Sequence, residues 1–170
     1  MAALKALRTK HQLYCSTPLP HACARLYHAA AVMAGNFTAT IMAEASLVLA
    51  SAGVDPQEAP RILEPLAMAA INNAARSPSP VEAITGPFPR GDTATIEAHL
   101  AALTAENSGK ASREGGSNEI PSGEAAQGNA LVVYKSLGEA TARLLEQEGK
   151  LDTRVAAQIA KLLDTSGPVT

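Results

Sequence analysis

Residues 26–52 read LYHAAAVMAGNFTATIMAEASLVLASA, and this stretch decides the fold. Leu26, Ala30, Met33, Phe37, Ile41 and Val48 recur at three-, four- and seven-residue steps, the spacing of one helix face. Ala29, Val32, Ala39 and Ala43 make the opposite face small or apolar too. A helix that is apolar nearly all round is buried on both sides or sits in an interface. The periodicity predicts one long buried helix from about Ala22 to Ala52, with Gly53 just past its C-terminus.

Working outward, the other segments also read as helices. Asp55 suits an N-cap, Pro56 a first helical position, and Glu58 the far side of a capping box, for a second helix to about Arg76. Pro65 inside it predicts a kink or break. The run Thr85-Gly86-Pro87-Phe88-Pro89-Arg90-Gly91-Asp92 holds two prolines and two glycines, which predicts a stiff, shaped loop. Asp92 then caps a third helix whose buried face carries Ile96, Leu100 and Leu103. A fourth helix spans about Ala130–Glu148, with Leu131, Tyr134, Leu137, Thr141 and Leu144 on one face, and a fifth follows Asp152 with Val155, Ile159 and Leu162 buried. No segment reads as a strand. The expected fold class is all-α and multi-helical, built on the long buried helix.

The 170 residues suit one main domain. The expected organisation is a disordered leader over residues 1–21, a helical domain over 22–164 and a tail over 165–170. Residues 106–128 are polar and rich in Gly, Ser and Glu; they read as a disordered insertion. Apolar residues make up 46% of the chain and aromatics 3%, so the core is built of small and aliphatic side chains. A net charge of −2 gives no basic field for nucleic acid. No uninterrupted apolar run approaches the roughly 20 residues that span a bilayer, and no signal-peptide core is visible. The expected location is cytoplasmic, without nucleic-acid or membrane partners. Lys5, Arg8, Lys10 and Arg25 precede the first acid, Glu44, so organelle targeting by residues 1–20 is the alternative. Cys15, His21, Cys23 and His28 do not match common zinc spacings, and no metal site is expected.

Polar groups in apolar surroundings are the candidates for chemistry. His28 and Asn36 lie eight residues apart, about 80° around a regular helix, so both can face one cleft. They either form a satisfied polar pair between helices or orient a substrate, with His28 as proton donor. Asn72 and Asn73 end the second helix, one of them facing the same cleft or both solvating the helix end. On the loop, beside Thr85, Gly86 permits close backbone approach, and Arg90 offers a planar fork for a carboxylate or phosphate, or pairs with Asp92 or a neighbouring carboxylate. His99 reads as a helix-surface histidine. Glu44 falls in the apolar stripe of the first helix, where it reaches solvent or pairs with a cation across an interface.

The ordered series Leu26–Phe37, Gly53-Val54-Asp55-Pro56, Leu63-Glu64-Pro65-Leu66, Asn72 or Asn73, Ile84–Asp92 and His99-Leu100 resembles the family catalogued as domain of unknown function 2520. The resemblance covers about residues 25–105 and returns weakly over 130–147. It implies the helical C-terminal domain of a two-domain oxidoreductase, similar to the dimerisation domains of 6-phosphogluconate dehydrogenase relatives. It further implies NAD(P) held on a Rossmann domain, a homodimer and a small polar substrate. By the same resemblance His28 is the catalytic candidate, and Asn36, Asn72, Asn73, Thr85, Gly86 and Arg90 bind substrate, with Asp92 beside them. Three departures stand out. The Rossmann half is not visible, since no G-x-G-x-x-G follows a strand. The polar insertion interrupts the pattern. No lysine lies between Lys10 and Lys110, so the lysine chemistry of related hydroxyacid dehydrogenases does not carry over. The chain alone is therefore expected to bind no cofactor and to be inactive. The alternatives are a non-catalytic dimerisation or interaction module and a degenerate gene fragment.

Overall fold

The computed structural model describes residues 21–107 and 129–164. The leader, Cys15, most of the polar insertion and the tail lie outside the described residues. Among those described there are helices and turns and no strand, so the chain is all-α. The contacts divide it into two compact units, residues 1–40 and 41–170.

The first unit holds α1, His21–Val32, and a five-residue π-helical turn, Met33–Phe37. Alanine dominates α1 and favours helix strongly. The π turn falls on Met33-Ala34-Gly35-Asn36-Phe37. Two threonine hydroxyls bond back onto it: Thr38 Oγ1 donates to the Ala34 carbonyl at 2.9 Å, and Thr40 Oγ1 to the Asn36 carbonyl at 3.1 Å.

The helix resumes as α2, Thr38–Ser51, which carries the chain into the second unit. It ends where expected. Gly53 adopts φ 93°, its N–H donates to the Ala50 carbonyl, and the Val54 N–H reaches back to the Leu49 carbonyl. The long helix is thus present, but its expected burial is not: no residue from 24 to 51 is buried within this chain. A second correction concerns length. Ala24–Ser51 is long and apolar enough, by length and composition, to cross a membrane, with an 18-residue window of mean hydropathy 1.4. Counting uninterrupted apolar residues missed this, because Asn36, Thr38, Thr40 and Glu44 punctuate the run without outweighing it.

The second unit continues with α3, Ala59–Arg76. Asp55 caps the turn before it, its Oδ1 accepting from the Gln57 N–H at 2.7 Å. Glu58 closes no capping box; its carboxylate pairs instead with Arg61 at 2.7 Å. Pro65 does not break α3, which runs on past it to Arg76. A 3₁₀ turn, Pro80–Ala83, follows. Ser79 anchors it: its Oγ accepts from the Val81 N–H and donates to Glu148 Oε1 at 2.5 Å.

The expected stiff loop contains a single helical turn, α4, Pro87–Arg90. Proline pre-sets the helical φ, and glycines at both ends take positive φ, 87° at Gly86 and 62° at Gly91. α5, Thr93–Asn107, begins at Asp92, and it extends two residues into the expected insertion. α6, Ala130–Gln147, turns at Gly149 (φ 68°) into α7, Thr153–Leu163, capped by Asp152 through the Arg154 N–H at 2.8 Å.

The core sits between α5, α6 and α7. Ile96, Leu145, Ile159 and Leu163 are its fully buried large side chains, joined by Val81, Ala142, Leu151 and Ala156. Each large one contributes about 1.5–3 kcal/mol of apolar burial. On α6 the buried line is Ala130, Gly138, Ala142 and Leu145, whereas Leu137 and Leu144 are exposed. The expected stripe is therefore turned by about one residue. Small side chains lie innermost because α4 and α7 approach closely: a Cβ on Gly138 would lie 2.9 Å from Leu163 and 3.0 Å from Phe88.

Candidate functional site

Packing α6 against α7 through small residues leaves the other side of α6 facing a cavity. Its walls come from the second unit alone. Ile41, Glu44, Ala45, Val48 and Leu49 of α2 line it at helical spacing, and Val133, Tyr134, Leu137 and Thr141 of α6 do the same. His99, Ala102 and Leu103 of α5 contribute, with Leu63 of α3 and Phe88 of α4. The cavity volume is about 570 Å³. This lies in the range of small-molecule pockets.

Its few polar groups are specific. Tyr134 and His99 share a hydrogen bond, hydroxyl to Nδ1, at 2.9 Å, with the rings edge-on at 5.8 Å. Phe88 tilts against Tyr134 at 6.2 Å. Burial pushes the Tyr134 phenol above its ordinary value of 10.0. Among the described residues Glu44 Oε2, which is buried, has no hydrogen-bond partner. No lysine or arginine among them lines the cavity.

The residues singled out from sequence lie elsewhere. His28 and Asn36 belong to the first unit, and both are exposed rather than buried. Eight residues set them about 12 Å apart along a helix, too far to satisfy each other. Asn36 also sits in the π turn, whose extra residue sets back the helix rotation, so the 80° separation of a regular helix does not hold. Asn72 and Asn73 are exposed near the end of α3; the Asn73 carbonyl accepts from both the N–H and the Oγ of Ser77 at 2.9 Å. Thr85 is exposed, and Gly86 takes the positive φ that starts α4. Arg90 stands 64% exposed, its guanidinium 4.0 Å from Asp92, a pair worth little at the surface. None of these second-unit residues lines the cavity.

Asp92 has a structural task. Its carboxylate accepts from the Thr95 hydroxyl at 2.7 Å and from the Thr95 N–H at 3.1 Å. Those bonds, more than the charges of Arg90 and His99, hold its pKa below the ordinary 3.8. The Gly86–Arg90 turn is no phosphate cradle, because Pro87 and Pro89 remove two of the N–H groups a helix start would offer.

A family profile, domain of unknown function (DUF2520), matches residues 11–114, more than half of the chain. The chain belongs to the DUF2520 family. No curated protein and no solved structure matches it. The DUF2520 match spans both the first unit and the loop with Thr85, Gly86 and Arg90, and it ends before α6. Sequence reasoning flagged Glu44 and His99 but missed the cavity. Tyr134 and Thr141 were read only as members of a buried stripe. The signal was available in the parallel i, i+3, i+4, i+7 spacings of α2 and α6; nothing in one sequence says that the two face each other.

Proposed function

We propose that this DUF2520 chain is the helical dimerisation and substrate-binding domain of a two-domain NAD(P)-dependent oxidoreductase. The observation that carries the reading is the apolar first helix. Leu26 is 73% exposed, Met33 63% and Phe37 53%. Contiguous apolar surface of this kind marks an interaction site, and a second copy of the same helix supplies a matching surface for a closed dimer. The π turn supports the reading, since such turns are frequent at functional sites. It places Asn36 on this helix, with His28 two turns earlier. Arg90, whose weak ion pair leaves its fork open to solvent, suits the carboxylate of a small polar substrate.

The described residues do not fit a nicotinamide dinucleotide. They form no strand and no strand–glycine loop–helix, and the prolines of α4 deny a pyrophosphate its donors. In the proposed enzyme the cofactor is therefore held by a nucleotide-binding domain that these helices do not form. His28 then serves as proton donor and Asn36 orients the substrate for hydride transfer.

Light scattering of the purified chain tests the dimer, and assay with NADPH and NADH tests the division of labour. A dimer without turnover is the expected pair of results. NAD(P)H-dependent turnover by the chain alone would sink the reading. The second reading, a purely structural dimerisation module, is favoured by the exposure of His28 and by its distance from Asn36. It predicts that His28→Ala leaves the activity of an assembled two-domain enzyme unchanged, whereas the proposed role predicts loss of turnover with the dimer intact.

A further inference from the structure

We infer that the cavity between α2, α5 and α6 is a binding site for a small organic ammonium ion carrying an apolar ring or chain. Five elements of one unit converge on it and form an open groove, at which Ile41 and Leu137 stay partly exposed. Its walls are aliphatic, with the aromatic rings of Phe88 and Tyr134 on one side. In this apolar setting stands a carboxyl oxygen, Glu44 Oε2, that is buried and has no hydrogen-bond donor. An unpaired buried acceptor is costly, and the described residues offer no remedy: no lysine or arginine among them lines the cavity, and His99 Nδ1 is committed to Tyr134.

A carboxylate only accepts hydrogen bonds, so its missing partner is a donor, and a charged donor binds it more strongly than a neutral one. An ammonium also gains from the faces of aromatic rings. An alkyl or aryl substituent on the same ligand fills the space walled by Val48, Leu103 and Leu137. The site does not depend on the oxidoreductase reading, since it uses none of the residues assigned to that chemistry.

The test uses the full chain and a pair of probes of nearly the same shape, 2-phenylethylamine and 2-phenylethanol. Binding is followed by calorimetric titration and by the methyl resonances of Val48, Ala102 and Leu137. The amine is expected to bind about tenfold more tightly than the alcohol, the ratio set by a charged against a neutral hydrogen bond. Glu44→Gln, nearly isosteric, is expected to equalise the two while keeping the fold. Ala102→Leu, which fills the cavity from α5, is expected to abolish both. Equal binding of the probes to the unmodified chain overturns the proposal, as does an amine preference that survives in Glu44→Gln. Binding of neither probe overturns it too, and so do cavity methyl shifts that follow protein concentration alone, which would make a second copy the occupant.

Discussion

Gly91 packs closely against Val155 in the second unit. Gly91 takes φ 62°, and a Cβ built on it would lie 2.7 Å from Val155 Cγ1. Valine is stiff and cannot swing aside cheaply. Gly91→Ala is therefore expected to cost about 2 kcal/mol in chemical denaturation, from backbone strain and overpacking together. Adding Val155→Ala should recover the packing share and leave the strain. Asp92, next in the chain, gives a pH signature. Its folded pKa lies below 3.8, so its capping contribution is complete above the ordinary carboxylate range and lost as pH falls below it. Asp92→Ala should lower the melting temperature at neutral pH and flatten the acid limb of a melting-temperature profile. Glu44 acts the other way. Glu44→Leu removes an unpaired buried oxygen and should stabilise the chain by about 1 kcal/mol. That Asp92 would cap α5 was legible in the sequence, because a cap is local. That Gly91 lies under Val155 was not, because the two are far apart in sequence.

At the scale of elements, α6 shows where reading by side-chain size fails. Leu137 and Leu144 look like core residues, yet Ala130, Gly138, Ala142 and Leu145 are the buried ones. At Gly138 the close approach of α4 and α7 selects a small residue, while Leu137 lines the cavity and Leu144 stays exposed. Gly138→Ala, which would press on Leu163 and Phe88, is expected to destabilise the chain by about 1–3 kcal/mol in thermal unfolding. The helices themselves were readable from periodicity and from glycine stops at Gly53 and Gly149. The π turn was not, because the Met33–Phe37 run differs little in composition from ordinary helix. Pro65, read as a kink or break, does not break α3. A helix of eighteen residues supplies enough neighbouring hydrogen bonds to absorb one missing N–H. Of the candidate site, the loop residues share one turn by sequence proximity, whereas the cavity required tertiary packing to become visible.

For the whole molecule, the central claim is that an exposed apolar helix makes this DUF2520 chain a dimerisation domain. The exposures of Leu26, Met33 and Phe37 leave much apolar surface in contact with water, which the proposed dimer would cover. Sedimentation equilibrium of the purified chain against Met33→Asp/Phe37→Asp tests this most directly. The account predicts a dimer for the unmodified chain and a folded monomer, of unchanged helical circular dichroism, for the double variant. An unmodified chain that stays monomeric at every concentration, or a double variant that remains dimeric, would contradict it.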